Sequence, residues 1–373
     1  MKTSKPKSAP RARKVSPSAA RPARVGQTRT RKPSSAPVRL RDVARYARVS
    51  TASVSRAFNM PELVSNELRA RVNRAAQLLN WVPNGAAKAL ASSRSRTIGA
   101  LIPTLGHQNF ATLIEAMQRE LQSQNYTLIV ACVEATDDAR LHQVRKLLER
   151  GVECLVIVGE AHPPAVFDLL KSQRVPYVIT YTIARDASHR CVGFDNYRAA
   201  ECVTQHLLDL GHRKFAMIAA HSANNDRIQQ RVAAVKDTLA KVGLGIRPQH
   251  SAEVDSSRRI AAGRAGLQQI WTSTDRPTAL VCTNDYLATG AMIEAKARRI
   301  AIPRMLSIAG FDDVDMSAHL DPPMTTVRVP VMALGVELAR YVARLLQDGD
   351  APAPSSLEAD LIVRGSTGPP RKD

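Results

Sequence analysis

The chain has 373 residues, 44% of them hydrophobic and 4% aromatic, which suits two or three domains with ordinary cores and excludes a single small module. Its formal charge of +20 is concentrated at one end: residues 1–39 hold 12 Lys/Arg and no Asp/Glu, and residues 40–94 hold 9 basic against 3 acidic. A nearly neutral remainder argues against general stickiness and for a polyanionic partner at the N-terminal end.

No apolar run follows the basic start and no uncharged stretch reaches spanning length, so neither a signal peptide nor a membrane partner is expected. The five cysteines (132, 154, 191, 202 and 282) lack metal spacing and fall mostly in apolar patterns. They are expected to be reduced core thiols of a cytoplasmic protein, nucleoid-associated when bound to DNA.

Residues 1–37, rich in Lys, Arg, Pro, Ser and Ala, are expected to be a disordered basic tail that tracks phosphates. Residues 38–82 read as a helix-turn-helix. Leu40, Val43, Ala44 and Ala47 make one apolar stripe, Val54, Ala57 and Phe58 the next, and only residues 47–50 separate them. Ser50 is placed to cap the second helix. Thr51, Ala52, Ser53 and Arg56 are left facing outward, and a guanidinium at Arg56 can donate two hydrogen bonds to guanine. Arg39, just before the first helix, forfeits a cap and offers a phosphate contact. A third helix over 65–79 supports the pair through Leu68, Val72, Ala75, Ala76 and Leu79.

Residues 83–96 are a hinge and linker, with a short Ala-rich helix starting at Asn84. Gly85 weakens its start by up to about 1 kcal/mol, so the helix is expected only when paired on DNA. From residue 97 the pattern alternates: strands at 98–102, 128–133, 154–158, 177–180, 215–219, 279–282 and 306–309, with helices at 110–124, 139–150, 165–173, 197–210, 228–242, 260–271 and 286–297. Such repeats predict open parallel sheets with ligand sites beyond the strand carboxyl ends. Residues 366–373 read as a flexible C-terminus.

Asp42-Val43-Ala44, Val49-Ser50, Val54-Ser55-Arg56, Asn59, Arg71-Val72, Leu79-Asn80-Trp81 and Pro83-Asn84 resemble the N-terminal signature of the lactose-repressor (LacI/GalR) family, and the resemblance runs over roughly 38–364. It implies an α-helical DNA-binding head with a hinge helix. An α/β periplasmic-binding-protein-like core at 97–365 follows, made of two doubly wound parallel-sheet subdomains, 97–191 plus 328–349 and 192–327 plus 353–365. Arg56 matches the recognition-helix arginine, and Thr51 and Ala52 match positions that choose the operator. The hinge helices pair across a homodimer, with Leu90 as a minor-groove wedge and Ala87 on its face. Arg231, Asn284 and Asp312 match ligand-binding positions, although Ala234 stands where the family usually has Gly.

Phe110 is expected to offer an apolar face to a sugar ring, and Glu160 to reach the cleft from a strand end. Asp285 and Asp313 are expected to cap helices, Asp195-Asn196 to cap or join subdomains, and His206 and His212 to be fold features. The implied function is an operator-binding regulator, typically a repressor, controlled by a small sugar, sugar acid or related metabolite. Alternatives are a purine effector or a transport-type sugar-binding protein. Without a phosphate loop, HExxH, CxxC or Gly-x-Ser-x-Gly motif, no catalytic residue, metal or cofactor is expected.

Overall fold

The computed structural model describes residues 37–371 apart from 93, 134–135, 184–188, 350 and 353. The expected basic tail therefore lies almost wholly outside the described residues. The chain forms two compact units, one ending at Pro83 and one beginning at Asn84.

The first unit is a three-helix head: α1 (Leu40–Ala47), α2 (Thr51–Asn59) and α3 (Asn66–Leu78). Arg48, in the left-handed region at φ 53°, turns the chain between α1 and α2. Ser50 Oγ accepts from Ser53 N at 3.0 Å and Ser65 Oγ from Leu68 N at 3.3 Å, so both later helices have side-chain caps. Arg39 cannot accept such a bond, but Asp42 Oδ2 accepts from Arg39 N at 3.0 Å, which closes half of a capping box. The core packs Val43, Val54 and Val72 with five alanines, and Phe58 meets Trp81 edge-on at 5.3 Å along its border.

In the second unit α4 (Gly85–Ser92) occupies the place expected of the hinge helix. The reason is local: Asn84 Oδ1 accepts from Ala86 N at 3.0 Å and Ala87 N at 3.4 Å, a cap that offsets the glycine. Two parallel sheets follow. The first, β1 (Thr97–Ile102), β2 (Thr127–Cys132), β3 (Cys154–Val158), β4 (Tyr177–Thr180) and β5 (Cys191–Val192), has order β2-β1-β3-β4-β5. Helices α5 (Gln108–Ser123), α6 (Asp137–Glu149) and α7 (Pro164–Ser172) connect its strands, and α8 (Asn196–Asp209) leads out of it.

The second sheet, β6 (Phe215–Ala220), β7 (Ile246–Val254), β8 (Ala279–Cys282) and β9 (Ser307–Ala309), has order β7-β6-β8-β9, with α9 (Asp226–Ala240), α10 (Ile260–Ile270) and α11 (Asp285–Ala297) between strands. Gly263 and Gly290 let α10 and α11 touch: a Cβ at Gly263 would lie 2.1 Å from Leu287 O, and one at Gly290 2.1 Å from Ile260 O. An antiparallel ribbon of β10 (Thr326–Arg328) and β11 (Asp360–Ile362) flanks α12 (Val331–Asp348), which packs on α5.

The C-terminal stretch corrects the expectation of flexibility from residue 366. Ser366 is fully buried, its Oγ donating to Ile308 O at 2.6 Å and accepting from Thr325 N at 2.8 Å. Buried His212 bonds Thr278 Oγ1 at 2.9 Å and donates to Gly368 O at 2.9 Å, and His206 meets Thr367 Oγ1 at 3.0 Å. Both histidines are thus fold features that pin the chain end. Of the cysteines, 154, 191 and 282 are buried core thiols, whereas 132 and 202 are exposed, a departure from the uniform core reading. Among the described residues no helix is long and apolar enough to cross a membrane.

Candidate nucleic-acid interface and effector cleft

On the head, packing buries Val54 and Ala57 of α2 and turns its other side outward. Ser50, Thr51, Ala52 and Arg56 are exposed and Ser53 half-buried, a small polar surface with one long fork. Arg39 is exposed beside the start of α1. Ser50 and Ser53 are partly committed to each other, Oγ to Oγ at 2.9 Å. On α4, Leu90 is 87% exposed and Ala87 is exposed, so an apolar side chain stands in solvent where folding gives it nothing to cover. Asn84, expected to touch DNA, has its side-chain oxygen engaged as the α4 cap.

In the core, strand order reverses between β1 and β3 in one sheet and between β6 and β8 in the other, and these switch points open crevices at the strand carboxyl ends. A cavity of about 570 Å³ lies there, walled by Pro103 and Thr104 after β1, His162 after β3, His221 after β6 and Asn284 after β8. Phe110, Arg231, Asn284 and Asp312, four of the five expected ligand residues, line it together. Glu160 does not. It sits at the end of β3 with Oε1 3.9 Å from Cys191 Sγ, and the residues after it, Ala161 and His162, take the wall position.

Arg231 is held on three sides. Its Nε donates to Asn196 Oδ1 at 2.9 Å and its Nη1 to Thr283 O at 2.8 Å, and its guanidinium carbon lies 3.5 Å from the centre of the Phe311 ring. Asp312 Oδ1 is 3.8 Å from Nη1. Burial pushes the guanidinium down to about 10, with Asp312 opposing the shift. Asp312 holds φ at 126°, a conformation costing on the order of 1–3 kcal/mol for a non-glycine residue. It persists because Asp312 N donates to Val327 O at 2.8 Å and Asp312 O accepts from Asn109 Nδ2 at 3.0 Å. The strain aims the carboxylate inward, 3.2 Å from His107 Nε2. Asn284, in turn, caps α11 by accepting from Leu287 N at 2.9 Å.

Asp285 and Asp313 cap no helix, which corrects the expectation. Fully buried Asp285 accepts from Val314 N at 3.0 Å, Ser317 Oγ at 2.6 Å and Thr326 Oγ1 at 2.5 Å, clamping the segment after β9. Asp313 pairs with Arg328 and Arg364, each at 2.7 Å. Asp195 caps α8, accepting from Arg198 N at 3.0 Å, and Asn196 Nδ2 donates to Tyr181 O at 2.7 Å while its oxygen holds Arg231.

Sequence reasoning missed His107, Arg140, His162, Tyr181, Arg227 and Tyr286 on the cavity wall. His107 packs between Phe110 at 5.5 Å and Tyr286 at 4.9 Å, and Phe110 lies 4.9 Å from Tyr181, giving one side of the cavity an aromatic lining. Burial raises the Tyr181 phenol well above its ordinary range and lowers His162 to about 4, so both are neutral near pH 7. The signal that pointed to them was positional: several lie within a few residues of the end of a strand at a switch point.

Residues 39–84 match the model of bacterial regulatory proteins of the lacI family, and residues 204–367 that of the periplasmic binding protein-like domain. The regulator GalS of Salmonella typhimurium is 31% identical over 298 residues, covering 80% of this chain and 86% of its own. The ribose operon repressor of Haemophilus influenzae is 30% identical over 298 residues, covering 79% and 88%. The chain belongs to the LacI/GalR family. As a member it is a DNA-binding transcriptional regulator and not an enzyme. The lac repressor dimer solved with operator and the anti-inducer ONPF superposes with a TM-score of 0.79 at 25% identity, covering 89% of this chain and all of that one. LacI/GalR membership accounts for a helical head and hinge joined to a core of two parallel sheets. Among the described residues no His, Cys, Asp and Glu cluster could hold a metal.

Proposed function

We propose that the protein is a homodimeric, sequence-specific regulator, acting as a repressor in the cytoplasm, whose affinity for a near-palindromic operator is set by a small polyhydroxylated metabolite in the core cleft. The observation that carries this is the cavity at the two switch points, where Arg231, Asn284 and Asp312 supply donors and acceptors beside the Phe110 face. One head reads one half-site; a two-fold dimer gains register and affinity from two. Arg39, Ser50, Thr51, Ala52, Ser53 and Arg56 are assigned to the DNA-facing surface of the head, with Asn84, Ala87 and Leu90 on the hinge. We assign the subdomains as 97–191 plus 328–349 and 192–327 plus 353–365, which places the cavity where they meet.

The effector acts by favouring one relative arrangement of the subdomains over another, since equal affinity for both would shift nothing. The aromatic wall of His107, Tyr286, Phe110 and Tyr181 also suits a base, which keeps a purine as the second reading. The test is a metabolite screen by thermal shift with each hit repeated in an operator-binding assay. Hits should be lost with Asp312→Asn and should change operator affinity. A hit that leaves operator binding unchanged, or that survives Asp312→Asn at full affinity, counts against the reading.

A further inference from the structure

Eight buried side-chain polar atoms among the described residues have no hydrogen-bond partner, and four belong to the cavity wall: His107 Nδ1, Arg140 Nε, His162 Nδ1 and Tyr181 Oη. These four atoms are shielded from solvent, so they mark polar residues set into the wall and not contact points open to a guest. His107 lies at the Asp312 end, 3.2 Å from that carboxylate. Arg140 and His162 lie at the other end, around the stretch after β3. There Arg140 Nη1 donates to Ala161 O at 2.8 Å, Arg227 Nη1 to Val158 O at 3.2 Å, and His162 Nε2 lies 3.3 Å from Val158 O. A carbonyl only accepts, so Nε2 carries the proton and His162 Nδ1 is left as an acceptor.

Charge separates the two ends further. Arg227 is matched by Asp226 at 3.2 Å, and the same oxygen, Oδ1, accepts from Ala161 N at 3.3 Å. Arg140, itself buried, has one ion pair among the described residues, with Asp137 at 3.7 Å, and that carboxylate is 65% exposed and strongly screened. At this end of the cavity Arg140 therefore leaves a surplus of positive charge, the part that its exposed partner does not neutralise. An uncharged polyol would leave that surplus standing. A phosphate monoester, near −2, would exceed it and lie beside Asp226. One carboxylate matches it.

We propose that the effector is a polyhydroxy monocarboxylate, with its carboxylate received by Arg140 beside Arg227 and its hydroxyls by Asp312 and Asn284. This rests on the reading of the cavity as the effector site.

Calorimetry on the full-length chain tests it, with gluconate, galactonate, glucuronate and galacturonate against glucose, galactose and glucose 6-phosphate. At least one acid should bind about 30-fold or more tighter than its neutral parent, with a Kd under about 1 mM. Arg140→Gln should remove at least about tenfold of that preference, and Arg140→Lys should restore part of it. Asp312→Asn should weaken acid and neutral ligands alike. Melting curves of each apo variant separate a lost subsite from a lost fold. Failure of every acid to bind, a preference for the phosphate, or an unchanged acid affinity in a folded Arg140→Gln protein overturns the proposal. A neutral sugar or nucleoside that binds through Asp312 and shifts operator affinity overturns the carboxylate but leaves the effector cleft standing. Bound ligands that never alter operator affinity sink the cleft reading itself.

Discussion

Arg231→Met separates two roles that the buried guanidinium combines. The substitution keeps a flexible apolar side chain against Phe311 but removes the donors that serve Asn196 Oδ1 and Thr283 O. Two buried acceptors left without donors cost about 1–3 kcal/mol each. Against this, the guanidinium held at about 10 carries a burial penalty of about 3 kcal/mol that methionine does not. Asp312 loses a cation at 3.8 Å but keeps His107 at 3.2 Å. With the two lost donors taken at the middle of that range, about 4 kcal/mol, less about 3 for burial, the balance is a net loss of about 1 kcal/mol, which for a unit of this size lowers Tm by roughly 2–4 °C. The assay is thermal denaturation of the full-length protein with and without an effector, alongside operator binding. The variant should melt a few degrees early, remain folded, keep operator binding and show no effector-induced shift. An unchanged Tm would refute the strut role, because Asn196 and Thr283 would then not depend on Arg231. Complete loss of folding would refute the balance by showing that the guanidinium is worth far more than its burial costs.

Arg56→Ala should lower operator affinity by about 1–3 kcal/mol, or roughly 5–150-fold, with a much smaller loss on random DNA at the same salt; equal losses on both would make Arg56 a phosphate contact. Leu90→Ala should leave the melting curve unchanged, because Leu90 is 87% exposed, while reducing operator bending measured by circular permutation; an unaltered bend and affinity would remove the wedge role. His162 is held neutral by burial, at about 4 in the folded core, against about 6.5 in an unfolded chain. Its contribution is therefore present above pH 6.5 and lost as the pH falls towards 4, amounting to about 2 kcal/mol by pH 5. Urea midpoints at pH 7.5 and 5 should fall less in His162→Gln than in the parent protein, and equal falls would contradict the burial argument. Deleting residues 1–37 should flatten the salt dependence of DNA binding while preserving sequence preference, a slope comparison that an unchanged value would decide against the tail.

Much of this protein was legible in its order of residues because the relevant forces act over a turn of helix or the length of a strand. The α1–α2 stripe, the Ser50 cap and the outward position of Arg56 follow from spacing alone, and the same holds for the continuous apolar runs of β3 and β8. Three of the five expected cleft residues, Arg231, Asn284 and Asp312, were reachable through motifs flanking them, and Phe110 through its apolar ring alone. The edge strand β7 was not: Arg247, Pro248 and Gln249 interrupt its apolar pattern, and its pairing with β6 outweighs that local signal.

The side-chain geometry of the cavity was decided by tertiary structure. Phe110, His162, Arg231 and Asp312 are distant in sequence and meet only because the strand order reverses in each sheet. A two-residue difference at the end of β3 directs His162 to the cavity and Glu160 towards Cys191. The inward set of Asp312 depends on backbone bonds to Val327 and Asn109. Local composition determined which groups can bind DNA or a metabolite; the folded sheets determined which of them face the same space, because only long-range pairing brings those loops together.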